Sequence, residues 1–114
     1  MESKAHIYIS AANNTVTIRI VGSMDLRLYD ILHELAHKHR NSQGIRYVFD
    51  WSQANCLHDS GVATLISFQN WITDQKAIIE FANCGSHILN TFLRSGTLEH
   101  FIPASDAASE YANV

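Results

Sequence analysis

The chain has 114 residues, the size of one domain with a single core and too short for two. Apolar residues make up 46% and charged residues 17%, a composition that suits a compact globular protein and excludes intrinsic disorder. The net charge is −3 without a basic cluster, and no apolar run approaches the roughly 18 to 20 residues of a membrane span, so nucleic-acid binding and membrane insertion are both excluded as readings.

His6-Ile7-Tyr8-Ile9-Ser10 alternates as a strand does, Asn13-Asn14 makes a turn, and residues 15–21 alternate again, so the spacing predicts a hairpin. Gly22 and Ser23 break the second strand, and Asp25 is a suitable N-cap for the next segment. From Leu26 to Arg40 the period becomes helical, with Leu28, Ile31, Leu32, Leu35, Ala36 and His39 on one stripe. Gly44 suits the left-handed turn that ends this segment. Residues 45–51, rich in β-branched and aromatic side chains, read as a central strand, with a loop through Ala54, Asn55 and Cys56 after it. Val62, Leu65, Ile66, Phe68, Trp71 and Ile72 predict a second helix reaching about Asp74, with Asp59 or Ser60 capping its start. Residues 77–82 form a further strand, Ser86 caps a third helix through Ile88, Leu89, Phe92 and Leu93, and Gly96 closes it.

The order β-β-α-β-α-β-α predicts one α/β domain over residues 1–114, with right-handed crossovers and a mixed sheet of four or five strands. Helices are expected mainly on one face. The tail from Phe101 onward contains the only proline, Pro103, and an alanine-rich stretch suited to a last short helix. Met1 to His6 carry no apolar leader segment, and Cys56 and Cys84 sit in apolar contexts that suit reduced, buried thiols better than a disulfide. A cytoplasmic location is therefore expected.

Three local motifs, in their order and spacing, resemble the STAS family. Gly22-Ser23-Met24-Asp25 resembles its G-x-Φ-D turn, where Φ is aliphatic; Val48-Phe49-Asp50-Trp51 resembles its Φ-Φ-D-Φ strand; and His58-Asp59-Ser60-Gly61 falls where the family has D-S-[ST]-G. Ile79 to Cys84, Leu89, Leu93, Gly96 and Phe101 continue the pattern, so the resemblance spans about residues 6–102. It implies the STAS fold and a non-enzymatic role like that of the anti-sigma-factor antagonists. The implied partner is an anti-sigma factor, a serine kinase or a phosphatase, docked through Gly22 to Asp25 and His58 to Val62. A second branch implies a subunit of an ABC-type lipid transporter that grips its ATPase. In the antagonist branch the first serine of D-S-[ST]-G is phosphorylated. Aligned on Gly61, this chain has Asp59 at that position, where it would be a permanent charge, and Ser60 at the second hydroxyl. A register shifted by one puts Ser60 on the phosphoacceptor, but it puts Val62 on the family glycine and disturbs the helix spacing.

Enzyme readings are weaker. His33-Glu34-Leu35-Ala36-His37 matches the zinc-peptidase pattern H-E-x-x-H, in which two histidines bind metal and the glutamate acts as base. Against the stripe of Leu28, Leu32 and Leu35, however, His33 and His37 fall on the solvent side, and no third histidine occurs at the spacing a peptidase needs. An adventitious surface metal site at His33 and His37, with His39 in reach, is the better reading. Ser60 lacks a nucleophile elbow, neither cysteine has an activating base visible in the sequence, and no phosphate-binding glycine loop occurs, so no cofactor is expected.

Overall fold

A computed structural model describes residues 6–97. Strands β1 (His6–Ala12) and β2 (Thr15–Met24) form an antiparallel hairpin around Asn13-Asn14, both in the left-handed region at φ 53° and 65°. That geometry is the type I′ turn, which asparagine tolerates better than most residues. A short 3-10 turn, Leu26–Leu28, leads into α1 (Tyr29–Lys38). Next come β3 (Arg46–Leu57), α2 (Asp59–Ile72) with a 3-10 extension (Thr73–Gln75), β4 (Ile78–Ala82) and α3 (Ser86–Ser95). The sheet has the order β1-β2-β3-β4, with β2, β3 and β4 parallel and β1 antiparallel at one edge. The expected mixed α/β sheet is thus present with four strands among the described residues.

One face of this sheet is covered. Val16, Ile18 and Ile20 of β2, Tyr47, Phe49 and Trp51 of β3, and Ile79 and Phe81 of β4 share a core with Leu32, Leu65, Phe68, Ile88 and Phe92 from the three helices. Its centre is aromatic: Phe68 meets Tyr47 and Phe49 edge-on at 5.0 and 5.6 Å, and Phe92 lies 4.9 Å from Phe81. The other face presents Arg19, Asp50, Arg46 and Glu80, paired across neighbouring strands. The Asp50 carboxylate is nearly buried there. Burial pushes its pKa up, but hydrogen bonds donated by Asn83, the Ser52 amide and Arg19 outweigh that and hold it at about 2.

Several element boundaries differ from expectation. β2 does not stop at Gly22 but runs to Met24, and β3 continues through the expected loop to Leu57. The two extensions pair with each other across two register shifts, each with its extra residue on β3, and Gly22 lies opposite the second of them with a φ of +83°. The first helix is shorter than residues 26–40, and Ile31, expected on its buried stripe, is 41% exposed. Asp25 does cap the 3-10 turn, accepting from the Arg27 amide at 2.9 Å. The expected caps on the later helices are absent: His58 and Gly85 precede α2 and α3, and neither Asp59, Ser60 nor Ser86 supplies a side-chain cap. Gly96 closes α3 in the left-handed conformation as expected. The short helix expected in the tail lies outside the described residues.

Candidate functional site

At the carboxyl ends of β2 and β3 the chain brings two distant segments together. The His58 amide donates to the Met24 carbonyl at 3.0 Å, and the Leu26 amide donates to Ser60 Oγ at 3.1 Å. Between these two bonds Gly61 presses on the Met24 backbone. A Cβ added there would collide with the Met24 carbonyl oxygen and stand only 2.8 Å from its carbon. Glycine at 61 is therefore a packing requirement, independent of any family pattern. Val62 is buried beneath it, consistent with the apolar spacing of α2.

The surface made this way has a shallow cleft of about 330 Å³ lined by Asp25, Leu26, Arg27, His58 and Ser60. Gly22 lies opposite the bulge behind it, while Ser23 and Met24 are buried and hold the turn from inside. Asp25 is clamped by the Arg27 guanidinium, Nη2 to Oδ2 at 2.7 Å, and this hydrogen bond lowers its pKa against the opposing effect of burial. Leu26 projects beside it with 62% of its surface in water. Asp59 is exposed at the first helical position of α2, where the unpaired amides and the helix dipole favour a negative charge. Of the residues singled out from sequence, the structure thus gathers Asp25, His58, Asp59 and Ser60 on one surface, with Ser23, Met24, Gly61 and Val62 buried beneath it.

Sequence reasoning missed three features of this region. Leu26, at the start of the expected first helix and off its buried stripe, stands exposed beside Ser60. Cys56, expected as a buried thiol, is half-buried with Sγ 3.6 Å from His58 Nε2. Trp71, on α2, meets Tyr29 and His33 of α1 with ring centroids 5.1 and 4.6 Å away. His33 is therefore exposed yet packed against an aromatic pair, and His37 is exposed on the same helix. Among the described residues no group of three or more His, Cys, Asp or Glu side chains converges as a metal site would require, and no helix is long and apolar enough to cross a membrane.

No protein-family model matches the sequence, and no curated protein matches it. Solved structures do match. The anti-sigma factor antagonist SpoIIAA in its unphosphorylated form is similar with a TM-score of 0.67 at 13% identity, over 96% of this chain and 98% of that one. An anti-sigma factor antagonist from Mycobacterium paratuberculosis gives a TM-score of 0.66 at 13% identity, over 97% and 96%. A sulfate transporter family protein from Wolinella succinogenes gives 0.70 at 13% identity, over 82% of this chain and 75% of that one. At such low identity the likeness is one of architecture, and it matches the architecture that the three sequence motifs imply. The fold of this chain is the STAS fold of the anti-sigma factor antagonists.

Proposed function

We propose that the chain is a regulatory domain that acts by docking to a protein partner, without catalysis, through the surface built from residues 22–26 and 58–62. The observation behind this reading is the joining of the two segments by the Met24–His58 and Leu26–Ser60 hydrogen bonds around Gly61. Such a construction fixes an exposed leucine against the start of α2, whose first residue carries an exposed carboxylate, on rigid elements as an interface needs. The partner is an anti-sigma factor or a serine kinase or phosphatase of the same switch, by analogy with the antagonists of the same fold.

Asp59 acts as a standing negative charge where those relatives in the family use a phosphoserine. The close packing of Gly61 supports the alignment that puts Asp59 at that position. Ser60 Oγ is occupied as an acceptor for Leu26, which favours a structural role for the hydroxyl. The likeness to a sulfate transporter family protein keeps a second reading in play, in which the same surface grips a transporter ATPase.

The test is purification of the tagged full chain from its native cells, with mass analysis of the bait and of bound proteins. Recovery of a kinase-fold protein or an anti-sigma factor supports the first reading. A transporter ATPase with no phosphate on the bait moves the assignment to the second. Phosphate on Ser60 would overturn the fixed-charge role of Asp59.

A further inference from the structure

Among the described residues, β1 forms one edge of the sheet and pairs only with β2. Edge strands of monomeric proteins are usually protected from other chains by a charge, a proline or a bulge. β1, with the sequence His6-Ile7-Tyr8-Ile9-Ser10-Ala11-Ala12, contains no Lys, Arg, Asp, Glu or Pro, and its register with β2 is unbroken over all 7 residues. It is also bare on its surface: Tyr8 is 62% exposed and Ile9 43%. The opposite edge, β4, is shorter and carries Glu80 in an ion pair with Arg46.

The hairpin fixes which main-chain groups are free. In a two-residue type I′ hairpin the flanking residues, here Ala12 and Thr15, exchange both of their main-chain hydrogen bonds. By alternation Ser10, Tyr8 and His6 also bond to β2, and Ile7, Ile9 and Ala11 direct their N–H and C=O groups to the open edge.

The geometry points to a second copy of this chain as the occupant of that edge, with the two β1 strands antiparallel about a twofold axis through Ile9. This register joins the outward-facing residues to one another: Ile9 lies opposite Ile9 of the second copy, and Ile7 opposite its Ala11. It also sets the bulky half, His6 to Tyr8, against the small half, Ser10 to Ala12, so volumes complement along the whole strand. No like charges are opposed, whereas a foreign peptide would have to bring the same volume pattern by chance. Ile7 and Ile9 lie on the same face as Ile20 and Ile18 of the core, so pairing carries the apolar layer across the axis. A single strand edge buries less than the roughly 800 Å² per partner of a standard interface, so the dimer is weak and forms with concentration.

The proposal does not involve residues of the docking surface, and its test is separate from that of the partner. Sedimentation of the full chain from micromolar to submillimolar concentration should show the mass rise from 12.8 kDa toward twice that value. Ile9→Lys places two ammonium groups across the axis, and Ala11→Pro removes an outward N–H without taking a bond from β2. Each should remain at the monomer mass with an unchanged thermal melt. A wild type that stays monomeric throughout, or a dimer that persists in both folded variants, overturns the proposal. Should the variants unfold, amide exchange of the wild type decides: the amides of Ile7, Ile9 and Ala11 must slow as concentration rises, and constant rates overturn it.

Discussion

Three residues at the junction of the two segments have separable roles. Gly61 holds the two segments in contact, and Gly61→Ala should cost about 2 to 4 kcal/mol in denaturant unfolding, because the obstruction is Met24 backbone and cannot swing aside. Ser60 satisfies the Leu26 amide, so Ser60→Ala should cost about 1 kcal/mol in the same measurement. Asp59 is exposed and not used as a cap, so Asp59→Asn should leave stability nearly unchanged while weakening partner binding several-fold by calorimetry. Equal partner affinity for wild type and variant would reduce Asp59 to an ordinary surface residue.

Asp50 gives the fold an acid limit. Its pKa falls from the ordinary 3.8 to about 2 in the folded chain, so the stabilisation is complete above the unfolded value and disappears as pH falls through the folded one. Wild-type stability should therefore drop by about 2 kcal/mol between the two values, and Asp50→Asn should remove most of that dependence in acid titrations of the melting point. The motif that includes Asp50 was legible in the sequence, but the reason for the aspartate was not. It lies in Asn83, 33 residues away, whose amide Nδ2 donates to Asp50 Oδ1 at 3.0 Å.

Among the elements, the helices were legible because a 3.6-residue period survives in any sequence that buries one face. α2 shows this plainly, with Val62, Leu65, Phe68 and Ile72 all buried. Boundaries were less legible wherever tertiary pairing overrode local signals. Gly22-Ser23 has the composition of a break, yet β2 continues through it because β3 supplies partners as far as Leu57. Helix starts misled in the same way. A capping residue competes with other uses of its side chain, and Ser60 is taken up by Leu26 instead. The 3-10 extension of α2 ends on Lys76 at φ 53°, a conformation that costs a residue with a Cβ about 1 kcal/mol or more and glycine little. Lys76→Gly should therefore raise the melting temperature by a few degrees, an outcome checked by calorimetry.

In the molecule as a whole, three helices among the described residues cover one sheet face, and the parallel strands β2 and β3 end together where the proposed docking surface stands. In open α/β sheets the carboxyl ends of parallel strands are where loops from different elements converge, so a site here is a consequence of topology. The order of elements made this architecture readable from the sequence, because strands separated by helices allow few alternatives. What the order could not show was that Leu26 stands exposed between Asp25 and Ser60, because that placement depends on contacts with α2 far along the chain.

Hydrogen–deuterium exchange of the full chain, alone and bound to the partner recovered with it, is the sharpest probe of the proposed docking surface. Slowed exchange should concentrate in residues 22–27 and 57–64. That protection and binding should be lost together in a Leu26→Glu, Asp59→Lys variant that melts like the wild type. Protection at the opposite end of the sheet instead, around residues 12–16 and 39–45, with full binding by the variant, would contradict docking through this surface.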